Sequence, residues 1–254
     1  MLLTEAELFI KTYKRNLIPV ISFPKSGSQT FFKRLKVLFH KGSIYIEPKI
    51  FAGSGHSFPI VQKVPFSLSL NHFYYGHALA SGYLFNFFKY YKKFNKVLFL
   101  IRPLKDCIIS YHSHIIKHGF GPLDLRIKNN PTYSANWESL DISEQIDKIL
   151  NFILPEYIKL IESWHLASSS YSFAIRHVCF EEIASNSTNL FQEIHESFPF
   201  LVSEDLSKPI DHVKKNISNN PPSRYEFSSS QKQKIKDCVN ISTLDASLKD
   251  YLLK

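Results

Sequence analysis

A short run of small and basic residues, FPKSGS from Phe23 to Ser28, has the composition of a phosphate-binding turn. Gly27 lets the backbone approach a ligand closely, and Lys25 supplies a full positive charge. If a helix begins after the turn, its first N–H groups point outward and its dipole adds partial positive charge. Further hydrogen-bond donors are the hydroxyl groups of Ser26, Ser28 and Thr30. The run therefore predicts a site for a phosphate or phosphosulfate group.

The run is not a Walker A loop, which has the pattern Gly-x4-Gly-Lys-Ser/Thr. Here Lys25 precedes Gly27, and the earlier glycine of the Walker pattern is missing. An ordinary strand-to-helix turn with an exposed lysine has a similar composition. The turn alone does not separate these two interpretations.

A second candidate site follows another apolar run. Arg102 comes directly after KVLFLI, from Lys96 to Ile101, and Ser110 follows eight positions later in a predicted helix. A guanidinium and a hydroxyl brought together there can hold one phosphate by charge-assisted hydrogen bonds. Ligands of open α/β sheets gather at the carboxyl ends of strands, so we expect both candidate sites at one edge of a sheet.

The elements that would position these residues alternate between strand and helix. Apolar runs and hydrophobic periodicity predict strands at Leu17–Phe23, before Gly76-His77, at Lys96–Ile101 and at Tyr171–Phe180. One predicted helix ends near Arg15, and another begins after the FPKSGS turn. Further helices are predicted at Leu79–Phe94, at Asp106–Lys117, at Ile142–Trp164 (kinked or split at Pro155) and in three stretches of the C-terminal third. Irregular segments are predicted at Gly42–Pro65 and Gly121–Trp137. This order predicts a single α/β domain over residues 1–254, a three-layer sandwich with a central, mainly parallel sheet and a P-loop-like phosphosulfate-binding turn.

The two candidate sites resemble those of the sulfotransferase family that uses 3′-phosphoadenosine 5′-phosphosulfate (PAPS). The run PKSGS, starting at Pro24, looks like the 5′-phosphosulfate loop of the family, Pro-Lys-Ser-Gly-Thr-Thr-Trp. Arg102 with Ser110 matches the family's 3′-phosphate pair in spacing and order. The likeness extends over about Leu17 to Lys236, and it implies the sulfotransferase fold.

Three more segments are similar to family segments in the same order. The run YGH, from Tyr75 to His77, lies where the family has its Lys-Thr-His base segment. CFEEI, from Cys179 to Ile183, is similar to the Tyr-Glu-Asp-Leu/Met segment, whose aromatic residue lines the adenine. KKNIS, from Lys214 to Ser218, looks like the Arg-Lys-Gly-Ile-Ser loop and is followed by Phe227.

The resemblance implies transfer of a sulfuryl group from PAPS to a hydroxyl or amine acceptor, without a metal. It implies that Lys25 neutralises the departing 5′-phosphate and that His77 is the general base, because an imidazole pKa near neutrality suits that step. A packed or capping histidine is the structural alternative for His77, and His72 and Glu47 are the alternative bases. The implied cofactor-binding residues are Lys25, Ser26, Gly27, Ser28, Gln29, Thr30, Arg102, Ser110, Phe180, Lys214, Lys215 and Asn216.

The sequence also departs from the family pattern. Gln29-Thr30 replaces Thr-Trp, which removes the indole that stacks on adenine. Tyr75 replaces the lysine of the base segment, so one electrophilic group is absent. Asn216 replaces the glycine of the C-terminal loop, and Pro-Pro-Ser stands where the family has Gly-Asp-Trp.

Composition limits the compartment and the partners. The formal net charge of +9 favours an anionic partner, which includes nucleic acid, acidic lipid, acidic glycan and a phosphate-rich cofactor. The three cysteines contain no Cys-x-x-Cys pair, and this suits a reducing compartment rather than a disulfide framework or zinc site. No apolar run approaches about 18 residues, so we expect no membrane span. The opening segment has no apolar stretch long enough for a signal peptide, so we expect a cytoplasmic protein. We expect a small-molecule or glycan acceptor and no nucleic acid, and the oligomeric state is left open.

Two other functions fit parts of the sequence. A nucleotide or nucleoside kinase would use Lys25 for ATP phosphates, although the Walker glycine and a clear Mg²⁺-binding aspartate after a strand are missing. A non-catalytic basic module on the same scaffold would bind nucleic acid or acidic glycan.

His114 and His118 lie one helical turn apart, as in some metal sites, but no third ligand is evident and a packed or solvated helix face is the simpler interpretation.

Overall fold

The computed structural model describes residues 16–39, 43–46, 49–50, 57–58, 71–77, 79–80, 82, 85, 95–119, 137–185, 188–199, 201 and 225–254. Its strands are β1 (Asn16–Ser22), β2 (Ser43–Ile46), β3 (Lys49–Ile50), β4 (Ser57–Phe58), β5 (Asn71–Gly76), β6 (Lys96–Ile101) and β7 (Ala174–Cys179). Its helices are α1 (Ser28–Leu38), α2 (Leu104–His118), α3 (Ile142–Phe152), α4 (Leu154–Tyr171), α5 (Phe180–Ala184), α6 (Thr188–Ser197), α7 (Ser229–Ile241) and α8 (Ala246–Leu253). A 3₁₀ turn spans Trp137–Ser139.

Five of the strands form one parallel sheet in the order β2-β5-β1-β6-β7. The central strands β1 and β6 are almost wholly buried, as expected for apolar runs covered on both faces. In the register, Ile21 pairs with Gly76, and Ile101 pairs with Cys179. Because the strands are parallel, the residues that follow β1, β5, β6 and β7 all lie at one edge of the sheet.

Helices cover both faces of this sheet. Successive side chains of a strand point to opposite faces, and in β6 Phe99 belongs to one apolar cluster while Leu98 belongs to the other. The first cluster joins the sheet to α2, α3, α4, α7 and α8, and the second joins it to α1 and α6. The predicted three-layer α/β sandwich with a mainly parallel sheet is confirmed.

Most described elements agree with the sequence predictions, with one correction. The predicted helix from Ile142 to Trp164 is split at Ile153, two residues before Pro155. The prediction of an irregular segment from Gly42 to Pro65 is wrong for residues 43–46, 49–50 and 57–58, which are the part that the structure describes, because β2 pairs with β5 at the edge of the sheet and β3 pairs with β4. The run SIYI of β2 contains β-branched and aromatic residues that favour a strand once an edge is available.

Some predictions lie wholly or mostly outside the described residues. These are the helix before Arg15, the helix from Leu79 to Phe94 and the loop from Gly121 to Trp137. Among the residues that are described, no helix is long and apolar enough to cross a membrane. The described histidines, cysteines and carboxylates contain no group of three arranged to hold a metal ion, although the rings of His114 and His118 lie 4.8 Å apart between centroids.

Candidate functional site

The turn after β1 is built from two left-handed backbone conformations. Lys25 has a φ of 71° and Gly27 a φ of 90°. The N–H and hydroxyl groups of Ser26 both donate to the Phe23 carbonyl, at 3.3 Å and 2.8 Å. Helix α1 then begins at Ser28, and its first N–H groups have no partner within the helix. The predicted strand, turn and helix thus place the N-terminus of α1 at the carboxyl edge of the sheet.

The hydroxyl-bearing residues of the turn have different surroundings. Ser26 is buried and its hydroxyl is already used within the turn, so it shapes the turn. Ser28 is buried at the first position of α1, whereas Thr30 is partly exposed and Gln29 is exposed. Lys25 is partly exposed. The charge of Lys25 and the α1 N-terminus are therefore the main anion-attracting groups of the turn.

Gly27 lies directly against the ring of Phe180. A Cβ atom at position 27 would be 2.7 Å from Cδ2 and 3.0 Å from Cε2 of that ring. The same ring lies beneath the guanidinium of Arg102, with Cζ 4.0 Å from the ring centroid. The ring therefore has little room to move away from an added methyl group.

We expect Gly27→Ala to lower the free energy of unfolding by about 2–4 kcal/mol, because left-handed strain and the overlap with Phe180 act together. Chemical denaturation measures this change. The matched background is Phe180→Ala, in which the overlap is removed and only the backbone strain remains. An equal loss in both backgrounds would contradict the packing account, since coupled residues do not give additive losses.

Arg102 follows β6 and is fixed by three neighbours. Its Nη1 donates to the carbonyl of Lys25 at 3.2 Å, and its guanidinium stacks on Phe180. Its Nε lies 3.6 Å from Oδ2 of Asp106, an ion pair too long for a hydrogen bond. The Arg102 side chain is only 11% exposed, and its Nε has no hydrogen-bond partner among the described residues. An enclosed cation this incompletely paired is suited to an anionic ligand.

Ser110 lies in the second turn of α2 and is partly buried. Helix α2 begins at Leu104, two residues after Arg102. The predicted pair thus spans the start of α2, with Arg102 just before the helix and Ser110 within it.

His77 follows β5 at the same edge of the sheet. Its Nδ1 lies 2.7 Å from the carbonyl oxygen and 3.0 Å from the hydroxyl of Ser22. A carbonyl can only accept, so the geometry assigns the proton to Nδ1 and leaves the lone pair of the neutral ring on Nε2. Burial lowers the pKa of His77, and the positive charge of Lys25 lowers it further against the opposing effect of the Ser22 hydrogen bond. His77 is therefore a neutral imidazole at pH 7, the form that accepts a proton.

The alternative bases are placed differently. His72 is the second residue of β5, five residues before His77. At about 3.3 Å per residue it lies roughly 16 Å from His77 along the strand, towards the opposite edge of the sheet. Glu47 lies outside the described residues, as do Lys214, Lys215 and Asn216 of the predicted C-terminal loop.

Phe180 is the first residue of α5, directly after β7. Its ring packs on Gly27 and Arg102, so it links the turn to the arginine. The structure thus brings together the predicted residues Lys25, Gly27, Arg102, Phe180 and His77, each after a different strand or within the turn.

Two residues of the site have no signal in the sequence. Tyr157 of α4 donates its hydroxyl to the Pro24 carbonyl at 3.0 Å, and its ring lies 5.0 Å from that of Phe23. Cys107 of α2 points its thiol at the Lys25 carbonyl, with Sγ at 3.8 Å. Burial raises the pKa of the Cys107 thiol, so it remains protonated. Both residues fit helical apolar spacing and read as ordinary core positions.

No protein-family model matches the chain, and no curated protein matches it by sequence. Among solved structures, the chain is similar to mouse sulfotransferase SULT7A1 complexed with PAP (3′-phosphoadenosine 5′-phosphate), with a TM-score of 0.59 and 11% sequence identity. The similarity covers 98% of this chain and 92% of that chain. At this identity the likeness is one of fold, and the chain has an α/β fold similar to that of a sulfotransferase.

Proposed function

We propose that the chain is a sulfotransferase that moves a sulfuryl group from PAPS to a hydroxyl or amine of a small-molecule or glycan acceptor. The observation that carries this proposal is the meeting of the Lys25–Gly27 turn, Arg102 and a neutral His77 at one edge of a parallel sheet. The fold similarity to a sulfotransferase complexed with PAP supports it.

The two ends of PAPS fit two parts of the site. The 5′-phosphosulfate suits the turn, where the positive charge of Lys25 shortly precedes the first N–H groups of α1. The 3′-phosphate suits Arg102, whose planar guanidinium can make two parallel hydrogen bonds to phosphate oxygens. Ser110 of α2 would add a hydroxyl to the same phosphate.

In the proposed reaction an acceptor oxygen or nitrogen attacks sulfur while the bond from sulfur to the 5′-phosphate oxygen breaks. The products are the sulfated acceptor and 3′-phosphoadenosine 5′-phosphate (PAP). The acceptor proton moves to Nε2 of His77, because Nδ1 is held by the Ser22 carbonyl. Lys25 and the α1 N-terminus stabilise the negative charge that develops on the departing phosphate. By analogy with phosphoryl transfer, positioning and charge stabilisation then supply most of the catalysis.

We expect PAP, without metal, to raise the melting temperature of the protein. A ligand that binds only the native state at 100 times its Kd adds about 2.7 kcal/mol, which is about 5–10 °C for a chain of this size. A thermal-shift panel with PAP in EDTA, ATP with Mg²⁺, and a single-stranded oligonucleotide measures this effect.

The same panel separates the competing functions. A shift with ATP and Mg²⁺ but not with PAP would contradict the sulfotransferase proposal and favour a kinase. A shift with the oligonucleotide alone would favour a basic binding module. ADP, which lacks the 3′-phosphate but carries the same number of phosphate groups, is the matched control for the 3′-phosphate.

A further inference from the structure

The C-terminal helix α8 places one hydroxyl group beside the phosphate site. Oη of Tyr251 lies 2.7 Å from Oε2 of Glu181, 3.3 Å from the backbone nitrogen of Phe180 and 3.4 Å from the carbonyl oxygen of Ile101. Ile101 immediately precedes Arg102 in the chain, and Phe180 carries the ring on which Arg102 stacks. The Tyr251 hydroxyl thus lies near the backbone of the residue before Arg102 and near the backbone of Phe180, whose ring supports Arg102.

The hydroxyl has a single hydrogen, which fixes the direction of its strongest bonds. The contact with Glu181 is the shortest and involves a carboxylate, so Tyr251 donates to Glu181. Its oxygen then accepts from the N–H of Phe180. That N–H belongs to the first residue of α5, where a helix has no internal acceptor, so Tyr251 supplies the missing partner.

Two features keep Tyr251 in place and uncharged. The neighbouring side chains Leu248 and Leu252 are buried in the apolar cluster that contains α2 and α7, and they anchor α8. Burial and the hydrogen bond to Glu181 raise the pKa of the Tyr251 hydroxyl, so it stays protonated. The contact with Phe180 is therefore available throughout the neutral pH range.

We propose that Tyr251 is a positioning residue of the phosphate site and that it holds Arg102 in place through Phe180. The backbone of Phe180 is fixed by Tyr251, and its ring is fixed between Gly27 and the guanidinium. The ring contacts the guanidinium of Arg102 itself, whereas the turn is also held by Tyr157 and by hydrogen bonds of its own. The effect on a ligand rests on the proposed function, whereas the effect on Arg102 itself does not.

The test compares Tyr251→Phe with Tyr225→Phe. Both changes remove one hydroxyl and keep the ring. Tyr225 bonds to Gln231 and Ser143, joining α7 to α3, and it has no contact with Arg102 or Phe180 among the described interactions. The ligands for calorimetry are PAP and adenosine 5′-phosphosulfate, which lacks the 3′-phosphate.

Tyr251→Phe is expected to weaken PAP binding about tenfold and adenosine 5′-phosphosulfate binding less than about threefold, as for loss of one well-placed hydrogen bond acting on the 3′-phosphate site. Tyr225→Phe should change neither. In the protein without ligand, the buried Nε–H of Arg102 should exchange with solvent about tenfold faster in Tyr251→Phe, measured by NMR and assigned by loss of the signal in Arg102→Lys.

Each outcome decides between the proposals. Unchanged PAP binding and unchanged Arg102 exchange in Tyr251→Phe would overturn the positioning role. Equal losses for both ligands, with a lower melting temperature, would mean that Tyr251 only stabilises the fold. If the unmodified protein does not bind PAP, the proposed function fails, and the exchange of Arg102 still tests Tyr251. Should Tyr251→Phe not fold, Glu181→Gln weakens, from an exposed position, the hydrogen bond that orients the Tyr251 hydroxyl, and it must give the same pattern in reduced form.

Discussion

His77→Ala is expected to lower the rate of sulfuryl transfer by about 10²- to 10⁴-fold and to leave the affinity for PAP within about twofold. A general base acts in the chemical step, and removing one typically gives a loss of this size. His77 accepts the proton at Nε2 and makes its structural contacts through Nδ1. Transfer from labelled PAPS to a panel of phenols and sugars, followed by calorimetry with PAP, measures both quantities.

Two variants separate the base from a packing role. The amide nitrogen of His77→Asn can replace Nδ1 as donor to the Ser22 carbonyl, but the variant has no group to accept a proton. It should therefore fold as the unmodified protein does and remain inactive. His118→Ala removes an exposed histidine from the end of α2 and should leave the rate unchanged. A fully active His77→Ala would exclude His77 as the base, and an inactive His77→Ala rescued by Asn would make it structural.

The pH dependence follows from the lowered pKa of His77. Only the neutral ring accepts a proton, so activity is lost as the pH falls through this pKa. Burial is the main cause of the lowering, with the charge of Lys25 adding to it, and the midpoint of the acid limb is therefore expected below 6.5. Lys25→Met removes one cause of the lowering and should move the pKa of His77 upward, which NMR titration measures.

Local sequence signals were enough to predict which candidate residues lie together at the carboxyl ends of the parallel strands. The runs that became β1 and β6 are dense in apolar residues, and both are buried on two faces. Because Lys25 comes three residues after β1 and Arg102 comes directly after β6, a parallel arrangement alone brings them to the same edge. The position of His77 after β5 follows in the same way.

The supporting contacts could not be predicted because they join distant parts of the chain. The hydroxyl of Tyr157 donates to the Pro24 carbonyl across 133 positions, and that of Tyr251 accepts from the N–H of Phe180 across 71. Each tyrosine lies at a position where helical periodicity predicts a packed ring and gives no sign of a hydrogen bond by its hydroxyl. The strand β2 was missed for a related reason, since four residues form a stable strand only when β5 provides an edge.

The packing of Phe180 also adds to the sequence prediction. The family resemblance implies that this aromatic residue lines the adenine. The structure places its ring against Gly27 and under Arg102. A ring held in this way can orient a guanidinium by cation–π contact, worth about 0.5–2 kcal/mol depending on desolvation. Arg102 is thus preorganised by the ring, by the Lys25 carbonyl and by Asp106.

Arg102→Ala is expected to weaken PAP binding by about 30- to 150-fold, which corresponds to about 2–3 kcal/mol for a lost charge-assisted, two-point contact. Adenosine 5′-phosphosulfate lacks the 3′-phosphate and should lose far less affinity. It should still lose some, because Arg102 also supports the Lys25 carbonyl in the left-handed turn. Calorimetry with both ligands gives the ratio of the two losses, which is the quantity that assigns the role.

Arg102→Lys is the control that keeps the charge and removes the planar fork. A lysine ammonium cannot hold the Lys25 carbonyl and two phosphate oxygens in one plane, and it loses the stack on Phe180. The PAP affinity of Arg102→Lys should therefore lie between that of the unmodified protein and that of Arg102→Ala. Its loss of affinity should still be larger for PAP than for adenosine 5′-phosphosulfate. Equal losses for the two ligands in both variants would make Arg102 a support of the turn. The 3′-phosphate would then have to be bound by other residues.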